Sequence, residues 1–196
     1  MEIASENLRQ LSAAPDSDKS EVIVHLPKLA YSGGLEVTPE GVWLKQIALR
    51  TPRSRGTFDA FIGRENGGLL DVRLDFERLD LSELHPMKGL GLSGSGPMKG
   101  GVAGQFRNLK AYARGQMQQF EMADLFLADS VDMTIESDDF KTLKFSKIKG
   151  RLGSSKYRGQ GSFVVSDTPK IDLNVDVSDG RIGDLVRIGR GTLDWV

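Results

Sequence analysis

The sequence predicts an all-β protein, a series of about ten to twelve short strands. Three observations carry this. Apolar and polar residues alternate with period two through most of the chain from Glu21 onward. Breakers punctuate the alternation at "YSGG", "TPEG", "RTPRSRG", "GRENGG", "SDD", "GRLGSS" and "SDTP". The apolar residues do not form the continuous runs of fully buried parallel strands, so each strand has one wet face and one dry face.

The first twenty residues stand apart. Ile3, Leu8 and Leu11 admit a short amphipathic helix, followed by the linker "SAAPDSDKS". Then "EVIVHLPKL" puts Val22, Val24 and Leu26 on one side of a strand. The clearest alternation is "LLDVRLDFERLDL", with Leu70, Val72, Leu74 and Phe76 opposite Asp71, Arg73, Asp75 and Glu77. "SVDMTIES" sets Val131, Met133 and Ile135 against Asp132 and Thr134. "KYRGQGSFVVS" places Tyr157, Phe163 and Val165 on one side, together with Gly159 and Gly161. "KIDLNVDVSDG" sets Ile171, Leu173, Val175 and Val177 against Asp172, Asn174, Asp176 and Ser178.

An internal repeat runs through these strands. Residues 70–84, "LDVRLDFERLDLSEL", align without a gap on 171–185, "IDLNVDVSDGRIGDL", at an offset of 172 − 71 = 101. Upstream, "LKQIALRTPRSRGTFDAFIG" resembles "LKFSKIKGRLGSSKYRGQGSFVV" when small insertions are allowed. The predicted organisation is a helix and linker over 1–20, a first β-repeat over 21–88 and a second over 89–196. Units that each leave a dry face uncovered stack into a quasi-one-dimensional structure.

Composition narrows the function. The chain has 196 residues, 39% hydrophobic and 27% charged, with net charge −1 and a pI near 6.2. No basic excess exists to neutralise nucleic-acid phosphates, so no nucleic-acid partner is expected. Cysteine is absent, which removes disulfides and thiolate chemistry. No run reaches the ~18–20 apolar residues that span a bilayer, and the start has no signal-peptide core. Both ends read as cut from something longer.

No catalytic constellation emerges. "GLGLSGSGPMKGG" contains a formal G-x-G-x-x-G at Gly89, Gly91 and Gly94. A dinucleotide fingerprint needs a helix directly after its glycines, and Pro97 with further glycines resists one. These glycines read instead as bends in a strand. His25 and His85 lack partners at ligand spacing, so no metal is expected. The pairs Asp71/Asp75 and Asp172/Asp176 read as a solvated sheet face rather than as glycosidase carboxylates. The acidic stretch from Asp124 to Asp139 lacks the order of a calcium loop. The basic stretches "RTPRSR" and "KTLKFSKIKGRLGSSKYR" read as charged strand edges, with anionic lipid head groups as the alternative partner. The dry face remains, and it needs a cover. Burial alone favours a second sheet in a sandwich; the other cover is lipid.

Residues 143–186, "LKFSKIKGRLGSSKYRGQGSFVVSDTPKIDLNVDVSDGRIGDLV", resemble the repeat of the AsmA-like and TamB-like proteins of Gram-negative bacteria. The shared pattern is an apolar strand, here with Leu143 and Phe145, a strand with Gly159, Gly161 and Phe163, then Pro169, Asp172 and Leu185. The copy over 43–84 keeps Gly56 and Phe58 but has no proline before its last strand. "GLSGSGPMKGGVAGQF" looks like the glycine-rich linkers between TamB repeats.

The resemblance implies a curved, mostly antiparallel sheet folded into an elongated β-taco of about two repeats. It implies a non-enzymatic periplasmic segment of a longer protein, tied to the inner membrane by an N-terminal anchor that this sequence lacks. It implies that phospholipid acyl chains move along the dry face between inner and outer membrane. The expected lipid contacts are Val22, Val24, Leu26, Leu70, Val72, Leu74, Phe76, Val131, Met133, Ile135, Leu143, Phe145, Phe163, Val165, Ile171, Leu173, Val175 and Val177. No cofactor is implied. The alternative is a chaperone-like β-module that helps assemble outer-membrane proteins by pairing with a client strand. An enzyme on a β-scaffold is a distant third.

Overall fold

The computed structural model describes residues 2–5, 29–64, 68–83, 91–122, 125–164 and 170–184. The protein is all-β. The strands are β1 (Glu2–Ser5), β2 (Leu29–Val37), β3 (Gly41–Arg50), β4 (Arg55–Gly63), β5 (Leu69–Asp80), β6 (Ser93–Gln105), β7 (Asn108–Met122), β8 (Leu125–Ser137), β9 (Thr142–Leu152), β10 (Ser155–Val164) and β11 (Lys170–Ser178). They form one eleven-stranded sheet in sequence order, and each described pair is antiparallel. A 3-10 turn, Leu81–Glu83, follows β5.

The start of the chain differs from expectation. Glu2–Ser5 is a strand paired with Leu29–Ser32, not the beginning of a helix. An isolated short helix is marginal in water, whereas the open edge of β2 offers unpaired backbone groups. The other positions of the expected helix lie outside the described residues. The glycine-rich segment is not a linker either. From Ser93 it is strand β6, bent where Gly94 and Gly104 take φ of 122° and 133°.

Register shows that the repeat needs no insertions. All eight described β3–β4 pairs recur 101 positions on in β9–β10, from Gly41↔Gly63 and Thr142↔Val164 to Arg50↔Arg55 and Arg151↔Lys156. Eight of the nine β4–β5 pairs recur in β10–β11; Arg55↔Arg78 is the exception, because a bulge at Arg55/Gly56 has no counterpart. The bulge between Leu44 and Ile47 returns between Phe145 and Ile148. Leu44 therefore stands on Phe145, not on Leu143.

The turns recur with the strands. Ser54 donates to the Glu83 carboxylate and accepts from Asp80 N at 2.9 Å. Ser155 donates to Asp184 at 2.8 Å and accepts from Arg181 N at 2.9 Å. Arg53 N donates to Glu83 at 3.0 Å, and Ser154 N donates to Asp184 at 3.0 Å. Ser54 and Ser155 are both buried. In each unit a carboxylate after the third strand thus ties down the hairpin two strands earlier, satisfying turn N–H groups that lack ladder partners.

Candidate functional site: an open apolar trough

Residues directly opposite each other in an antiparallel sheet share a face, so the pairings trace each face across the whole sheet. One line runs Ile62, Leu70, Gly104, Leu109, and another Ala60, Val72, Val102, Ala111, Ser137. A third runs Phe58, Leu74, Gly100, Ala113, Ile135, Phe145, Gly161, Leu173. Fourteen of the expected contact residues fall on this one face: Leu70, Val72, Leu74, Phe76, Val131, Met133, Ile135, Leu143, Phe145, Phe163, Ile171, Leu173, Val175 and Val177. Val22, Val24, Leu26 and Val165 lie outside the described residues, as do His25 and His85.

No second sheet covers this face among the described residues. Its middle is nevertheless buried, because the twisted sheet curls over itself. Leu79, Leu81, Met117, Phe120, Met122, Ala128, Val131, Met133, Phe145 and Phe163 form one buried cluster drawn from β5 through β10. Met117 and Phe163 are 1% and 2% exposed. The two flanks stay open. Leu35 and Val37 of β2 are 67% and 61% exposed, and the apolar residues of β11 are 39–48% exposed.

Two spaces lie along the curl. One, of about 150 Å³, is bounded by Leu127, Val131, Ile148, Leu152, Tyr157 and the β11 residues Leu173, Val175 and Val177. The other, of about 280 Å³, runs between Leu81, Leu92 and Met98 on one side and Leu143 and Phe163 on the other. Phe120, Met122, Met133 and Phe145 are common to both walls, so the two are neighbours along one trough. Apart from Ser155 and the Tyr157 hydroxyl, the first space is lined by apolar side chains, which favours an apolar guest over water.

Tyr157 is the polar landmark of the trough. Its ring lies across Gly150, where a Cβ would stand 2.0 Å from the ring. Its hydroxyl donates to Leu127 O at 3.1 Å. Burial, aided by the nearby Asp129 charge, pushes the phenol up to about 12. It is therefore neutral at physiological pH and adds no charge to the trough.

The opposite face carries the charges. Asp71 pairs with Arg73 at 3.1 Å, and Asp75 with Lys99 at 2.6 Å. Asp138 pairs with Lys144 at 2.9 Å and Lys110 at 3.5 Å, and Lys144 holds its carboxyl below the usual range. Backbone donors from Thr142 and Lys141 hold Asp139 low in the same way. These acids are partnered parts of a wet face and its turns. No group of His, Cys, Asp or Glu suited to a metal ion occurs among the described residues.

Periodicity did not single out β6 and β7 as trough walls. In β6 the wall positions are Gly96, Met98, Gly100, Val102 and Gly104, which carry little apolar signal. In β7 the residues from Met117 to Phe120 break parity at Gln119, which takes φ of 52°. The spacing of Leu109, Ala111, Ala113, Gly115 and Met117 was the available clue.

The fold and site define a class: a single-layer antiparallel β-trough, dry inside and charged outside. The chain matches no protein-family model, no curated protein and no solved structure.

Proposed function

We propose that the trough holds hydrocarbon chains of phospholipids and lets them slide along its length, with no bond made or broken. The observation that carries this reading is the unbroken apolar face from β2 to β11, uncovered by any second layer among the described residues. Each methylene moved from water onto such a surface gains about 0.8 kcal/mol. A continuous face lets a chain advance without crossing water, while the head group remains in solvent at the open flank. The resemblance to AsmA-like and TamB-like repeats supports phospholipid as the cargo and the periplasm, between inner and outer membrane, as the setting.

Leu173→Arg tests it. Position 173 is 39% exposed, so a charge there leaves the sheet intact. A photocrosslinker at position 173 should yield phospholipid adducts by mass spectrometry, and Leu173→Arg should lower copurifying phospholipid several-fold with an unchanged circular dichroism spectrum. A chain that purifies without lipid and gives no adduct at 173 overturns the proposal. Met133→Asp is a poorer probe, because Met133 is buried and the charge would unfold the curl.

A further inference from the structure

We infer that the charged face of the first unit carries a second site, a row of three arginines that docks on the phosphates of an anionic phospholipid bilayer. Arg50, Arg55 and Arg78 stand directly opposite one another near the ends of β3, β4 and β5, through Arg50↔Arg55 and Arg55↔Arg78. Arg55 alternates with Gly56 and Phe58 of the trough wall, and Arg78 precedes Leu79 of the buried cluster, so the row lies on the side away from the trough. All three are exposed. Like charges directly opposite each other destabilise a sheet, yet this chain keeps two such pairs side by side.

The repeat sets this row apart. The bulge at Arg55/Gly56 skips Glu77 and places Arg78 opposite Arg55. One period on, the counterparts are Arg151, Lys156 and Asp179. There the bulge is absent, Ser178 stands opposite Lys156, and Asp179 pairs with Lys156 at 3.6 Å. The second unit thus balances a position that the first leaves positive. The acids nearby are committed: Asp75 to Lys99, Glu77 to Arg55, Asp80 to Arg53 and Ser82, and Glu83 to Thr51, Arg53 N and Ser54. Arg50 and Arg78 have no ion pair among the described residues, and the uncharged Ala30 lies opposite Arg50 on its other side.

Exposure decides the occupant. Arg50 and Arg78 are two strand spacings apart, about 10 Å. With Thr51, Arg53 and Thr57 they line one open hollow of about 950 Å³. Guanidinium groups take phosphate oxygens two at a time. A lone soluble anion on exposed arginines is screened by water and salt and held weakly. An anionic leaflet instead presents many phosphates at a negative surface potential, where each arginine strengthens binding about fivefold. The row lies across the sheet from the trough and does not rest on what fills it.

The test is co-sedimentation of the full chain with vesicles of phosphatidylcholine, with and without phosphatidylglycerol. The chain should bind the anionic vesicles alone, and less as sodium chloride rises. Arg78→Asp, which copies the charge of Asp179, should weaken binding about tenfold or more. Its urea midpoint should equal or exceed the parent's, because repulsion within the row is relieved. Arg50→Gln should weaken binding about fivefold, and Arg151→Gln in the second unit less than about twofold. Equal losses from these two would overturn the row in favour of general charge attraction. Displacement by inorganic phosphate, at an ionic strength where chloride does not displace, would overturn the bilayer as the source of the phosphate. Binding lost in Leu173→Gln but kept in Arg78→Asp would move the membrane contact to the trough and overturn the row. A chain that ignores anionic vesicles also overturns it, and leaves the trough reading standing.

Discussion

The carboxylate of Asp184 shows how much one residue organises. It accepts from the backbone and hydroxyl of both Ser154 and Ser155. The Ser155 hydroxyl, with help from Ser154 and both N–H groups, holds its pKa below the ordinary aspartate value. A depressed folded-state pKa contributes stability above the unfolded value, near 3.9, that is lost as pH falls through the folded value. Asp184→Asn should therefore lower the urea midpoint at pH 7, and the gap to the parent chain should close on acidification below about pH 4. A gap that persists undiminished at pH 2 would assign the effect to shape rather than charge. Gly153 in the same turn takes φ of 60°, and a Cβ there would stand 2.1 Å from the Asp184 carboxylate. Tyr157→Phe tests the other landmark: losing the bond to Leu127 O should cost about 1 kcal/mol in chemical denaturation.

Among the strands, burial separates two kinds of trough residue that look alike in sequence. Phe163 on β10 and Val175 on β11 both sit on alternating apolar positions, yet one is 2% exposed and the other 43%. Phe163→Ala should cost about 3–5 kcal/mol by emptying the curl, whereas Val175→Ala should cost under about 1 kcal/mol. Equal losses would mean that β11 is covered in solution. Alternation could reveal β5, β8 and β11, because their walls are Leu, Val, Ile and Met against Asp, Arg and Thr. It could not reveal which of them the curl encloses, since twist leaves no mark on a single strand's pattern. Nor could it align Leu44 with Phe145, because the Leu-Lys pairs at 44–45 and 143–144 look more alike than the bulged positions that superimpose. The paired serines and acids, Ser54 with Glu83 and Ser155 with Asp184, were visible in the aligned sequences. Only the hydrogen bonds gave them a meaning.

At the scale of the molecule, every described strand pairs with its neighbours in sequence. Such a chain makes nearly all its strand contacts between sequence neighbours, and stability spreads along it as a sum over neighbouring strands rather than residing in one nucleus. Native-state hydrogen exchange should therefore be graded, slowest in β7–β9 beneath the buried cluster and faster toward β2 and β11. A single uniform exchange free energy across the sheet would contradict this.

The 101-residue register also makes the wall modular in a genetic sense. Because β4 presents to β5 nearly the same pairing that β10 presents to β11, removing 101 residues from within the span would splice β4 onto β11 in the register that eight of nine pairs share. Adding 101 would extend the wall by six strands, about 29 Å at the usual strand spacing. A gene that gains or loses whole periods thus changes the length of this wall in fixed increments and keeps its lining in register.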